Sequence, residues 1–455
     1  RDVLGSRGLG DVYKRQDEYD EVTQVKTVTL EVDDLDTPVK LHIDKAMGDI
    51  RLSFSSKDMV ETTNPPYFAP VEVEQPDFKT SWKVNIGGSD YDYTDDMTVL
   101  KNGNIVAVGQ SYSNDGDFQN LLKGGSIAYI NQYDPKGELL KTLTLGGTEY
   151  DSIAYAAKVC GLDDGGFVVS GGYQEGVYVA PTGDFAQLDT AGTVHGQMDT
   201  FIAKYDSNSK LIWMSNFSGS ANDQVKQIKA TDDGGIAVLI ETNSNDGDME
   251  NQNRGLYDLV IVKYDAHGKK VWQRVLGGKN IETSSSGLDI LSDGSFIVAG
   301  SLSSKSGDFA DVDWYGDIFD CFAAKISATG ELLWTKAYGG DRNDYCNSVL
   351  ATSDGGFILM GNTKSTTDTF APIGTGYDNA YVLKCNETGE TEWVNVIKSS
   401  EASEMISAIE LENQYVFIGQ SRGTDYDVTG LNKGSMDVFI AVSYTHLRAH
   451  ETLRH

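Results

Sequence analysis

No stretch of this chain approaches the ~18 consecutive apolar residues that a membrane-spanning helix needs, so no transmembrane segment is expected within it. Cysteine is scarce: Cys160, Cys321, Cys346 and Cys385 are four in 455 residues, which excludes a disulfide scaffold. Each falls in a stretch that reads as strand, so buried free thiols are expected. No two of them stand at the short spacing of a zinc site. Basic charge is also in deficit. The first and last stretches, GDVYKRQ at 10–16 and SYTHLRAHETLRH at 443–455, resemble translated sequencing adapter. Residues 1–16 and 442–455 are therefore expected to be non-native and are set aside for fold reasoning. On that reading the native termini lie outside the chain, and a signal peptide is not observable. Six of the 37 basic and three of the 68 acidic residues fall in these ends, leaving 31 against 65, a net charge of −34. Such a surface repels phosphate backbones, so no nucleic-acid partner is expected. No nucleophile elbow, phosphate loop, metalloprotease helix or Cys–His pair occurs.

What is abundant is repetition. A doublet closes a strand at Gly87-Gly88, Gly146-Gly147, Ser218-Gly219, Gly277-Gly278 and Gly339-Gly340, with Ser399-Ser400 in the same place once more. A tryptophan precedes it at Trp82, Trp213, Trp272, Trp334 and Trp393, with Lys141 in the remaining copy. Periods near sixty residues with this internal regularity mark a repeat architecture. Within each period four strands alternate. An Asp-Gly turn such as Asp293-Gly294 joins the first two, because those residues accept positive φ. A long loop leads to the third, and a tight turn such as Asp265–Gly268 to the fourth.

Four antiparallel strands repeated around a ring make a propeller blade. The expectation is an all-β, six-bladed β-propeller over 81–441, with seven blades as the alternative. Five blades are complete, a sixth starts near Glu404, and Trp82–Ile86 is left over as an orphan fourth strand. The orphan is expected to pair with the third strand of the last blade near Phe439, since propellers close by joining their termini. Residues 17–80 read as a partial β-strand domain and linker, with alternation at Val28–Val32, Val39–Ile43 and Ile50–Phe54 and an Asn64–Pro70 linker. A monomer is expected.

The pattern W-x-x-x-x-GG-x-x-x-D, then DGG, then D-x-F-I-x-K-Y-D-x-x-G resembles bacterial secreted or cell-surface beta-propeller repeat proteins, including repeats in some chains labelled endoglucanase. The resemblance covers about 82–441 and implies the fold, with no catalytic residues of its own. Tyr264–Trp272 also resembles the tryptophan-docking motif of quinoprotein dehydrogenases, where it is a structural clasp and not the cofactor site.

The connections after the second and fourth strands share one face. Their loops are long, acidic and aromatic, so function is expected there. The acids Asp92, Asp151, Asp223, Glu282, Asp344 and Glu404 recur after each doublet, as a cation-binding ring or as acceptors for turn N–H groups. Ser113–Asp117 and Ser244–Asp248 repeat a Ser-Asn-Asp-Gly-Asp loop. Its carboxylates Asp115, Asp117, Asp246 and Asp248 are candidate calcium ligands, and turn formation is the competing reading. Aromatics suited to stacking on a sugar are Trp314, Tyr315, Tyr112, Phe118 and Tyr377. The function expected is a non-catalytic extracellular or cell-surface binding propeller for a glycan or surface protein. A glycan-active hydrolase, or an accessory module of one, is the alternative.

Overall fold

The computed structural model describes residues 82–175, 180–188, 196–315, 319–371, 377–411, 414–429 and 434–443, with the strands Tyr13–Asp20 and Val25–Val32. Those two strands, β1 and β2, pair antiparallel as a hairpin, which runs across position 16. Val28, Leu30 and Val32 lie in β2. The runs at 39–43 and 50–54 and the linker at 64–70 lie outside the described residues.

From Trp82 onward the protein is a β-propeller. Blade 1 comprises β3 (Asp92–Val99), β4 (Ile105–Ser111), β5 (Ile127–Tyr133) and β6 (Leu139–Leu145). Blade 2 comprises β7 (Ile153–Gly161), β8 (Phe167–Gln174), β9 (Asp199–Tyr205) and β10 (Leu211–Phe217). Blade 3 comprises β11 (Asp223–Ala230), β12 (Ile236–Thr242), β13 (Asp258–Tyr264) and β14 (Lys270–Leu276). In blade 4 the first strand is split into β15 (Glu282–Thr283) and β16 (Leu288–Ile290), followed by β17 (Phe296–Leu302), β18 (Asp320–Ile326) and β19 (Leu332–Tyr338). Blade 5 comprises β20 (Asp344–Ala351), β21 (Phe357–Thr363), β22 (Asn379–Cys385) and β23 (Thr391–Ile397). The sixth sheet has three strands, β24 (Ser403–Leu411), β25 (Gln414–Ser421) and β26 (Asp437–Ser443).

Every sheet is an antiparallel meander in chain order. The second and third strands of blades 1 to 5 are almost wholly buried, and in blades 2 to 5 both faces are covered by neighbouring blades. Five of the six core clusters therefore straddle a junction between two blades. Val168, Ile202 and Phe217 of blade 2 pack with Ile228, Val238 and Val260 of blade 3. Ala237, Leu239 and Leu259 of blade 3 pack with Leu288, Val298 and Phe322 of blade 4. Burial of this kind, at about 25 cal/mol per Å² of apolar surface, is what holds one blade to the next.

The tryptophans lock the outer edge. Trp213 Nε1 donates to the Ala266 carbonyl at 3.1 Å and Trp272 Nε1 to that of Ala328 at 3.2 Å, each reaching the third-to-fourth-strand turn of the following blade. The indoles lie over Gly268 and Gly330, where a Cβ would come within 3 Å of the ring. The docking motif is thus an interblade clasp here. Where Lys141 replaces tryptophan, its ammonium bonds the carbonyls of Asn208 and Ser209 in the corresponding turn.

Two expectations are corrected. Trp82–Ile86 forms no strand and does not pair with β26. Trp82 Nε1 instead donates to the Pro135 carbonyl at 3.1 Å, and its ring covers Gly137, so the segment is committed to blade 1. The sixth doublet is Lys398-Ser399 rather than Ser399-Ser400, as the contacts described next establish. All four cysteines are free; Cys321, Cys346 and Cys385 are buried as expected and Cys160 is half-buried, and burial pushes the Cys160 and Cys385 thiols up to about 12.

Candidate functional site

Each fourth strand ends in a doublet that is gripped by the long loop of the next blade. The backbone N–H of the first doublet residue donates to a loop carboxylate: Gly87 to Asp117 at 2.9 Å, Gly146 to Asp184 at 3.0 Å, Ser218 to Asp248 at 3.0 Å, Gly277 to Asp308 at 3.2 Å and Lys398 to Asp427 at 2.7 Å. In blade 5 the Thr369 hydroxyl takes the part, at 3.1 Å from Gly339 N. The loop residue's own N–H returns a bond to the same doublet residue's carbonyl in all six cases. The loop then makes a short 3-10 turn whose first residue has φ near +60° in Gly116, Gly183, Gly247 and Gly307. A Cβ there would meet the doublet carbonyl at 2.1–2.4 Å.

This grip accounts for the candidate calcium ligands. Asp117 and Asp248 accept the doublet N–H groups, and Lys270 also pairs with Asp248. Asp115 accepts from Ser89 N and Asp246 from Ser220 N, both at 2.7 Å. The Ser89 N–H holds the Asp115 carboxyl below its ordinary value. Calcium needs six to eight oxygens around one point. These carboxylates are instead directed onto separate backbone donors, and among the described residues no three of His, Cys, Asp or Glu gather into a metal site. The four residues do not fit a calcium loop.

The recurring acids are likewise internal. Asp92 accepts from Gly88 N at 2.8 Å, Glu282 from Gly278 N at 2.7 Å and Asp344 from Gly340 N at 3.0 Å. Hydroxyls at the end of the second strand complete the set: Ser111 and Ser113 on Asp92, Thr242 and Ser244 on Asp223, Thr363 and Ser365 on Asp344. Burial pushes Asp223 up to about 8 and Glu282 and Asp344 up to about 7. Raised carboxyls of this sort can mark general acids, yet these three are fully buried beneath the loops, out of reach of a substrate. Two members depart from the ring. Asp151 is exposed, and in blade 2 Glu175 bonds Thr182 beside Gly147 instead. Glu404 is displaced by one residue: Ser403 holds the equivalent register opposite Ser421, and Glu404 bonds Gln420 and Asn347.

The aromatic candidates separate into two groups. Phe118 is a correction: it is wholly buried against Tyr129, so it cannot stack on a ligand. Trp314 packs on the core shared by blades 3 and 4, and burial raises the Tyr315 hydroxyl. Both are half-buried. Tyr112 is half-buried too and accepts from Gln110 at 3.0 Å. Tyr377 is exposed, as are Tyr426 and Tyr91. Tyr91 lies parallel to Tyr93, ring centroids 6.3 Å apart. Tyr150, in the same repeat position as Tyr91, is 95% exposed and escapes sequence reasoning. Its signal is that only blades 1 and 2 carry tyrosine immediately before the recurring acid.

One polar cleft opens at the rim of this face. It measures about 340 Å³ and is lined by Asn251–Arg254 of the blade 3 loop and Gln273–Val275 of β14. Arg254 and Arg274 both pair with Asp308, so their charge is largely spent, and amides supply the remaining donors.

No family model matches the chain. It is similar to the regulatory protein FlaEY of Caulobacter vibrioides, 25% identical over 209 residues, which is 42% of this chain and 22% of that protein. The chain thus spans about a fifth of the length of that curated relative. Among solved structures, a protein of unknown function from Dyadobacter fermentans is 11% identical, covering 79% of this chain and 97% of its own, with a TM-score of 0.42. A polysaccharide lyase described as an ulvan lyase is 9% identical, covering 78% and 80%, at 0.41. The haemagglutinin-neuraminidase ectodomain of parainfluenza virus 5 is 9% identical, covering 77% and 82%, at 0.37. At these scores the likenesses carry no argument about function.

Proposed function

We propose that this chain is a non-catalytic binding propeller of the extracellular or cell-surface kind, and that its long-loop face takes a glycan. The observation that carries the reading is the contrast in accessible chemistry. The loop face presents exposed Tyr91, Tyr150, Tyr377 and Tyr426, together with an amide-lined cleft. Flat amphipathic rings and planar amides suit the apolar faces and hydroxyls of sugars. The raised carboxyls that could drive hydrolysis are enclosed. Among the described residues the opposite face is made of tight turns, such as Asp233-Gly234 and Asp265–Gly268.

A glycan array probed with the wild type, Tyr150→Ala and Tyr377→Ala tests the reading, run beside a reducing-sugar release assay. One exposed aromatic contact contributes on the order of 1.4 kcal/mol, so a contact tyrosine should weaken retention about tenfold on removal. Both variants should melt with the wild type. Retention of no glycan would move the site to a protein partner. Sugar release that disappears on mutation of one loop-face carboxylate would establish the glycan-active alternative.

A further inference from the structure

The blades are superimposable by register, so each position states what a neighbouring blade does to it. Met97 of β3 lies opposite Ala107 of β4. Its equivalents are Val159, Ile228, Leu288, Val349 and Ala408, opposite Val169, Val238, Val298, Leu359 and Phe417. The first four are packed against the preceding blade and are 6% exposed or less, and Ala408, half-buried, packs on the core shared with blade 5. Met97 is 64% exposed. On the other side, Ile440 of β26 matches Ile130, Ile202, Ile261, Ala323 and Val382, all of which pack towards the following blade at 1% exposure or less. Ile440 is 64% exposed, and its neighbour Val438 65%. At Met97 and at Ile440, apolar positions that the other junctions cover are bare, and they do not cover each other.

The orphan segment shows what belongs between them. Trp82 and Gly87 make the tryptophan dock and the doublet grip with blade 1, as a fourth strand does with the blade that follows it. In blades 1 to 5 the third and fourth strands pair directly. Trp82–Ile86 and β26 do not pair, so they are not third and fourth strands of one blade. We infer that the ring is seven-bladed. The gap takes a seventh copy of this repeat, and Trp82–Ile86 is the outermost strand of that blade. The occupant has the chemistry of the established junctions: a twisted sheet with an apolar residue at each Met97-like and Ile440-like register. An uncovered pair of such faces is also the kind of exposed patch that folded monomers avoid.

Two thiol probes, Met97→Cys and Ile440→Cys, test this in the full chain. The native cysteines are a quiet background, with Cys321, Cys346 and Cys385 buried and the Cys160 thiol pushed up by burial. Both probes should react with a maleimide at close to the rate of a free thiol. A duplicate of residues 327–385 inserted after Ser443 supplies a turn, a fourth strand for blade 6 and three strands of blade 7. With it, both probes should slow at least tenfold and the melting temperature should rise. Met97→Asp and Ile228→Asp give a reading that does not depend on the insertion folding. In the chain without the insertion, Met97→Asp should melt with the wild type and Ile228→Asp should unfold the propeller. The inference is overturned if either probe is unreactive before insertion, which six-blade closure or dimerisation on these faces would cause. It is equally overturned if Met97→Asp is as damaging as Ile228→Asp, or if a folded insertion variant leaves both probes reactive.

Discussion

The two faces of the propeller use carboxylates for the same task with opposite electrostatics. On the turn face, Asp233 and Asp293 accept the N–H two residues on, at 3.0 and 2.9 Å, and pair with Lys263 and Lys325 from the third strand. Burial alone would raise them. The side-chain donors Thr231 and Lys263 on one, and Lys325 and Ser295 on the other, outweigh it and bring both down to about 2. On the loop face, Glu282 and Asp344 accept from a backbone N–H and from hydroxyls, Asp223 accepts from the Thr242 and Ser244 hydroxyls, and none of the three has a cation within its set. There burial wins, and they rise to between about 7 and about 8. Neutral donors satisfy a buried carboxyl without keeping it charged; a cation and access to water do.

Substitution can break that contrast directly. Asp344→Ala strips the acceptor from Gly340 N–H and from the Thr363 and Ser365 hydroxyls, all enclosed, and should cost about 3 kcal/mol. Asp233→Asn removes the charge facing the nearly buried Lys263 ammonium; discounted for the exposure of Asp233 itself, the loss should be about 2 kcal/mol. Asp344→Asn keeps a neutral acceptor where the carboxyl already tends to neutrality, and Thr363 can turn to accept from the amide, so its cost should stay below about 1 kcal/mol. Urea midpoints at pH 7 rank the three. Asp344→Asn proving worse than Asp233→Asn would erase the distinction between the faces.

pH should reveal the same contrast at slightly smaller amplitude. Asp223, Glu282 and Asp344 bind a proton more tightly folded than unfolded. Their contribution is whole below the ordinary carboxyl range near 4 and is lost as pH rises through about 7 to 8. Asp233 and Asp293 contribute above that range and lose their contribution as pH falls towards about 2. Stability should therefore peak near pH 4 to 5 and fall towards pH 8. Thermal melts across that range check the slope, and Asp344→Asn should flatten it. A flat or rising profile would mean the loop-face carboxyls stay ionised.

The faces also differ in how far they could be read from sequence. Asp-Gly and Asp-x-x-Gly turns are local, so their backbone demands are written in adjacent residues, and the turn face follows. Loop-face contacts join residues about thirty apart, such as Gly87 and Asp117, and only the repeat reveals them. The repeat also carried information about burial that composition hides. Phe118 stands where Phe185, Met249, Phe309, Phe370 and Val428 stand, all buried under their loops. An aromatic that recurs in this way serves the blade; Tyr150, which recurs once, is left outside. The one-residue shift of the sixth doublet stayed hidden because Lys398 uses only its backbone in the grip. Ring closure was not legible either, since it depends on faces meeting across the whole chain.

The smallest predicted effect separates the faces by backbone conformation. On the turn face, among the described residues, positive φ falls on glycine at every tight turn except Ser209. On the loop face, the first residue of the 3-10 turn is glycine in blades 1 to 4, but Asp368 at φ +52° and Tyr426 at φ +50° stand there in blades 5 and 6. An L-residue in the left-handed region pays a steric cost that glycine avoids. Tyr426→Gly relieves it and removes a ring that is exposed, so little packing is lost. Glycine's freer unfolded chain offsets part of the gain, which leaves about 0.5 kcal/mol of net stabilisation. The reverse change, Gly247→Ala, acquires the strained φ and sets a Cβ against the Ser218 carbonyl, so it should destabilise by more than Tyr426→Gly stabilises. Paired denaturation curves decide it. If Tyr426→Gly destabilises, Tyr426 is held by contacts that outweigh its backbone. The ring would then count among the packing aromatics rather than the ligand-facing ones, and the proposed glycan surface would shrink to Tyr91, Tyr150 and Tyr377.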